Sequence, residues 1–138
     1  MTITRRDRMS AAPASLDIDA PDLATAIERL EPEGINTLPF GAIRLDPEYK
    51  VIFYSDAERR QSGYRKDAVG RPFFLEIAPC LNTAKCRERI DQALADGKLD
   101  ITFDHTADLP SGAQDVDLHV RVLPATGGGC WIFTSIED

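Results

Sequence analysis

The residues of this chain best suited to chemistry are a cysteine, a tyrosine and a glutamate. Cys80 closes the apolar run Phe73-Phe74-Leu75-Glu76-Ile77-Ala78-Pro79-Cys80. The residues after it, Leu81-Asn82-Thr83, read as the entry to a helix, whose positive end and free N–H groups favour a thiolate. Apolar neighbours act in the opposite sense by desolvating that charge. A nucleophilic thiol beside a dry pocket suits covalent attachment of a ligand, although a buried free cysteine gives the same letters. Tyr54 ends a strand candidate, and Glu58 follows in a short helix-compatible piece. That spacing can aim a phenol and a carboxyl at one region. A glutamate in a polar stretch is ordinarily solvated, so the pair gains meaning only in combination.

Other chemistries find little support. The sequence contains no GxxxxGK[ST], no GxGxxG after a strand, no HExxH and no GxSxG. Gly127-Gly128-Gly129 lies between two strand candidates and reads as a turn. The cysteines and the two histidines do not fall at metal-ligand spacing. Cys86 belongs to an apolar helix stripe, and Cys130, beside Trp131, reads as structural. His119 sits on the polar parity of its strand and is expected to be exposed. His105 shares parity with Leu99, Ile101 and Phe103, which predicts a partly buried, satisfied structural histidine.

The elements that must position these groups can be read from periodicity. Residues 1–17 lack a pattern and read as a mobile leader, leaving 18–138 as one domain. Pro21 suits a first helical turn, and Leu23, Ile27 and Leu30 recur at helical spacing up to a stop at Glu31-Pro32-Glu33-Gly34. Phe40–Asp46 and Val51–Ser55 form a hairpin with Ile43 and Leu45 on one face. Asp56–Gly63 is helix-compatible, and Asp67–Gly70 is expected to make a brief helical turn. From Thr83 to Asp96, Cys86, Ile90, Ala93 and Leu94 form an apolar stripe, and Gly97 stops the helix. Leu99–His105, Asp115–Leu123 and Gly129–Ile136 are strands. In the middle one, Val116, Leu118, Val120 and Val122 alternate with polar residues, the mark of a half-buried antiparallel strand. The order predicts an α+β fold: a five-stranded antiparallel sheet, helical connections on one face and an N-terminal helical cap.

Composition narrows the function classes. The 138 residues are enough for one core, and a net charge of −7 argues against a nucleic-acid partner. No apolar run approaches the roughly 20 residues of a membrane span, and the N-terminus lacks a signal-peptide centre. Three cysteines without CxxC spacing argue for a reducing, cytoplasmic setting.

Taken together, Phe40-Gly41-Ala42-Ile43-Arg44-Leu45-Asp46, Tyr54-Ser55-Asp56-Ala57-Glu58, Gly70-Arg71-Pro72-Phe73-Phe74 and Ala78-Pro79-Cys80 resemble the photoactive yellow protein family, the blue-light-sensing branch of PAS domains. Thr102-Phe103-Asp104 and Cys130-Trp131-Ile132-Phe133 fit as well, so the resemblance spans roughly residues 18 to 136. It implies a non-enzymatic photoreceptor in which Cys80 carries p-coumaric acid (4-hydroxycinnamic acid) as a thioester. Tyr54 and Glu58 would hydrogen-bond its phenolate, and Ser62 would support the tyrosine. Phe73, Phe74, Ala78 and Pro79, with Ile43 and Trp131, would line the pocket. Blue light would isomerise the chromophore, which would take a proton from Glu58. The buried carboxylate left behind would loosen the least stable segment as a signal to a separate downstream protein. The chain itself would be a monomer or weak dimer.

That chemistry makes physical demands. Holding a phenol ionised at neutral pH needs a shift of about three units, or roughly 4 kcal/mol. Charge delocalisation and two charge-assisted hydrogen bonds of about 1.5–3 kcal/mol each can supply this. Glu58 can donate only if burial keeps it protonated. The sequence also departs from the family. The Ser62–Gly70 segment is one residue shorter, which puts Tyr64 at the place of the pocket-shielding arginine, with Arg65 able to swing in. Ala107 stands at the place of the methionine that speeds dark recovery, with Leu109 as substitute, and slow recovery is expected. Ile101 and His105 replace aromatic residues. Three alternatives compete: a PAS sensor for another ligand or none, a plain interaction module, and a thiol enzyme, which lacks a base that sequence can place beside Cys80.

Overall fold

The computed structural model describes residues 16–136. The expected leader falls almost wholly outside them. Two short helices open the described chain, α1 (Leu23–Glu28) and α2 (Pro32–Ile35). The Glu31-Pro32-Glu33-Gly34 stretch is not a stop. Proline at the first helical position, with its fixed φ, starts a second helical turn there.

The hairpin β1 (Gly41–Leu45) and β2 (Val51–Tyr54) leads into α3 (Asp56–Ser62). Ser55 caps α3, its Oγ accepting from the Glu58 N–H at 3.2 Å and from the Ala42 N–H at 2.9 Å. Gly63 ends it at φ 72°, in the left-handed region. Asp67–Gly70 leads into a turn closed by the Arg71 N–H on the Ala68 carbonyl at 3.1 Å and is not helix, with Ala68 its one buried side chain. Phe73–Ile77 winds as a π-helical turn and Pro79–Leu81 as a single 3₁₀ turn. The helix expected from Thr83 begins as another π turn, Ala84–Glu88, before the regular α4 (Arg89–Ala95). Three strands follow: β3 (Ile101–Ala107), β4 (Val116–Pro124) and β5 (Cys130–Ile136).

The strands form one antiparallel sheet in the order β2-β1-β5-β4-β3. Placing the last strand in the centre gives β5 a neighbour on each side, and both faces are covered. On one face Ile43, Leu45, Val120, Val122 and Ile132 pack against Phe73, Phe74 and Ile90 from the connecting helical turns. On the other, Ala42, Trp131 and Phe133 pack against Leu23, Ile27 and Leu30 of the N-terminal segment, with Leu16 and Ile18 at its edge. Side chains alternate along a strand, so each central strand serves both cores.

Double coverage corrects two expectations for β4. Arg121, on the polar parity, is buried with 5% of its surface exposed. It donates to the Ile18 and Ala20 carbonyls and reaches Asp100 at 3.3 Å. His119 is not a free sheet residue, its side chain being 20% exposed. Its Nε2 meets Asp19 at 2.8 Å and its Nδ1 meets Asp104 at 2.9 Å. Strand parity identifies the face but not what covers it, and here the N-terminal segment does.

Candidate functional site

Between the sheet and the connecting helical turns lies a largely apolar cavity of about 430 Å³. Ile43, Phe73, Ala78, Pro79, Leu81 and Val120 supply apolar wall, while Tyr54, Glu58, Ser62, Cys80, His105 and Thr134 bring polar atoms to its border.

Tyr54, Ser62, Glu58 and Thr134 are positioned by β2, α3 and β5. Tyr54 leaves β2 opposite Ile43, and its phenol pairs with Ser62 Oγ at 3.0 Å across α3. Ser62 Oγ also accepts the Tyr64 N–H at 3.1 Å, so one hydroxyl ties the phenol to the chain leaving the helix. Burial raises the Tyr54 phenol above its ordinary range, and the nearby Glu58 adds to this. Glu58 is 8% exposed. Burial pushes its carboxyl up to about 7, although the hydroxyl of Thr134 donates to Oε1 and acts in the opposite direction. Gln61 Nε2 in turn donates to Thr134 Oγ1 at 3.2 Å.

Sequence reasoning missed Thr134. It lies on β5, and its partner on β1 is Gly41. A Cβ at Gly41 would fall on Glu58 Oε1 and come within 2.6 Å of Thr134 Oγ1. Glycine there is what gives the carboxyl its seat. The signal in the sequence, a glycine opening a strand, points to close approach but does not name the group that approaches.

Cys80 sits in the 3₁₀ turn Pro79–Leu81 and not at the mouth of a regular helix. Desolvation raises its thiol pKa, and its own backbone N–H acts the other way more weakly. Cys80 is nonetheless exposed, so this desolvation is partial, and no regular helix end stands there to favour the thiolate. Cys86 and Cys130 are core residues, 4% and 0% exposed, with thiols pushed up to about 11 and about 12 by burial.

The remaining sequence candidates divide. Ile43, Phe73, Ala78, Pro79 and Tyr64 border the cavity, and so do Ala107 and Leu109. Phe74 lies behind Phe73 in edge-to-face contact, with ring centres 5.0 Å apart, and is not part of the wall. Tyr64 separates the cavity from a shallow surface pocket, and Arg65 borders only that outer pocket. Trp131 belongs to the opposite face of the sheet, where its Nε1 donates to Glu28 at 3.0 Å. Adjacent strand residues point to opposite faces, so a tryptophan next to Ile132 cannot share the cavity. His105 is half-buried, but its Nε2 is shut off from solvent without a hydrogen-bond partner, so it is not a satisfied histidine.

No family model matches the chain. Photoactive yellow protein from Rhodothalassium salexigens is 32% identical over 113 residues, covering 81% of this chain and 90% of that protein. The photoactive yellow protein of Cereibacter sphaeroides is 30% identical over the same shares. Among solved structures, the photoactive yellow protein domain of the sensor histidine kinase Ppr from Rhodospirillum centenum superposes with a TM-score of 0.71 and 31% identity, over 79% of this chain and 96% of that one. A PAS domain from Colwellia psychrerythraea, 15% identical with a TM-score of 0.62 over 75% of this chain and 90% of its own, shares the fold.

Proposed function

We propose, from the premise that this chain belongs to the photoactive yellow protein family, that it is a blue-light photosensor whose Cys80 carries p-coumaric acid as a thioester. When bound, that group supplies a conjugated phenol that absorbs visible light and a double bond that light isomerises. The observation that carries the reading is that Cys80, Tyr54 and Glu58 border one cavity, with the carboxyl of Glu58 buried and lifted to about 7. The residues present fit such a group, because a largely apolar wall lines the cavity that one phenol, one carboxyl and the thiol border.

The chain's own residues then divide the work. Phe73, Ala78, Pro79, Leu81 and Val120 exclude water, and Tyr64 closes the outer side. Ser62 fixes the direction of the Tyr54 hydroxyl. Glu58 holds a proton near neutral pH and can give it up, and Thr134 steadies the carboxylate that results. An ionised carboxylate this deeply buried costs several kcal/mol unless the structure around it gives way. That is a sizeable part of a domain's stability. The N-terminal segment, joined to the sheet by short helices and by the His119 and Arg121 contacts, is the part we assign to loosen. One relative is a domain of a sensor histidine kinase, which supports a signalling protein as the recipient. Among the described residues no helix is long and apolar enough to cross a membrane, and a cytoplasmic site of action goes with this reading.

The test uses the purified protein and p-coumaric anhydride. A visible band should form, bleach under blue light and recover in the dark, and Cys80→Ala should gain none. The same band on Cys80→Ala would overturn the assignment.

A further inference from the structure

We propose that Gln61 and Thr134 are positioning residues for Glu58, which fix its proton on Oε2, the carboxyl oxygen that neither of them occupies. This deepens, and rests on, the reading that Glu58 is the group that gives up a proton.

The direction of each hydrogen bond follows from one backbone carbonyl. Gln61 Nε2 lies 3.3 Å from the Thr134 carbonyl oxygen and 3.2 Å from Thr134 Oγ1. A carbonyl only accepts, so the amide turns its NH₂ and not its oxygen to Thr134. One N–H goes to the carbonyl and the other to Oγ1. Thr134 is buried, and its hydroxyl still has a hydrogen of its own to place. The one other partner of Oγ1 among the described residues is Glu58 Oε1. If Glu58 donated to Oγ1, the hydroxyl hydrogen would be left buried without an acceptor, which is costly. Thr134 therefore donates and Oε1 accepts, and a proton on this carboxyl sits on Oε2.

Oε2 has no partner among the described residues, yet it is not sealed off as the Nε atoms of Arg44 and His105 are. It is the accessible oxygen of a side chain that borders the main cavity. Gly41 makes the relay possible, because a Cβ there would press on Glu58 Oε1, Thr134 Oγ1 and Gln61 Nε2 alike. Burial and the Thr134 hydroxyl act in opposite directions on the Glu58 titration. Tyr54, Tyr64, Glu76, Cys80, His105 and Asp108 border the same cavity, and Arg59 lies over the Tyr54 ring.

The experiment uses the apoprotein: wild type, Thr134→Val, Thr134→Ser and Gln61→Leu, each paired with the same chain carrying Glu58→Gln, and each checked for folding by circular dichroism. Two quantities are read from each pair. One is the infrared C=O band of protonated Glu58 at pH 5, and the other is the difference in urea stability across pH 4 to 9. Thr134→Val takes the donor from the carbonyl oxygen Oε1, so the band should move to higher wavenumber. The pH at which the stability difference levels off should rise from about 7 to about 8, a tenfold change in ionisation. Thr134→Ser keeps the hydroxyl and should keep both wild-type values, which a role in packing alone would not give. Gln61→Leu frees the Thr134 hydroxyl to donate or accept, and the band should broaden. A wild-type band in folded Thr134→Val, or a Thr134→Ser band displaced as far as that of Thr134→Val, would overturn the assignment. So would a Gln61→Leu band as sharp as wild type, which carries the test if Thr134→Val does not fold. None of these measurements needs a chromophore. A wild type that takes up no p-coumaroyl group but shows these shifts would refute the photosensor reading and leave the relay in place.

Discussion

Replacing Glu58 with glutamine should change how the stability of this protein depends on pH. The carboxyl is 8% exposed and titrates in the folded state at about 7, against an ordinary value of 4.5. A folded pKa raised in this way means that the folded state holds its proton longer than the unfolded chain does. The contribution of Glu58 is fully present below pH 4.5 and is lost as pH rises to about 7, after which it stays constant. A rise of this size corresponds to about 3 kcal/mol at roughly 1.36 kcal/mol per unit. Glutamine keeps the oxygen that accepts from Thr134 but cannot ionise, so Glu58→Gln lacks this loss. Urea unfolding from pH 4 to 8 provides the assay, with the difference between the two proteins as the readout because every other titration cancels. With a slope of about 1–3 kcal/mol per molar, the wild-type midpoint should fall relative to the variant by about 1–3 M, mostly between pH 5 and 7. Parallel curves would refute the reasoning. They would mean that Glu58 is either solvated in the folded state or stabilised as a carboxylate by more than its Thr134 bond.

Two further outcomes follow from the same physics. His119 has its pKa raised by its hydrogen bonds to Asp19 and Asp104, so its hold on the N-terminal segment is complete below its ordinary pKa and weakens as pH rises through the raised value. Asp19 is 63% exposed, so solvent limits the effect to about 1 kcal/mol or less; hydrogen exchange in residues 16–30 should quicken with rising pH beyond the ordinary pH dependence of exchange, and Asp19→Asn should weaken that extra rise. Gly41→Ala drives a Cβ onto Glu58 and Thr134, and should destabilise the fold by about 1–3 kcal/mol in the same urea assay. The smaller double change Gly41→Ala with Thr134→Ser should recover nothing, because the Glu58 clash remains.

Local patterns already determine much of this molecule. Alternation along Val116–Val122 and the stripe through Cys86 and Ile90 identify strand and helix and the face each buries, because burial imposes a period of 2 or 3.6 on the chain. Ser55 and Gly63 bound α3 through bonds that reach only a few residues. Tyr54 and Glu58 come to one cavity because a strand end and one helical turn fix their separation. What only the tertiary structure decided depends on strand order. Setting β5 between β1 and β4 brings Thr134 beside Gly41 and Glu58 and sends Trp131 to the opposite core. The N-terminal segment, far away in sequence, then lies over β4 and turns His119 and Arg121 from surface residues into its fastenings. The meeting of Cys80 and His105 at the border of one cavity arises in the same way, from segments far apart in sequence. Periodicity records which face of an element is dry. It carries no record of which partner makes it so, because that partner is chosen by the packing of the whole sheet.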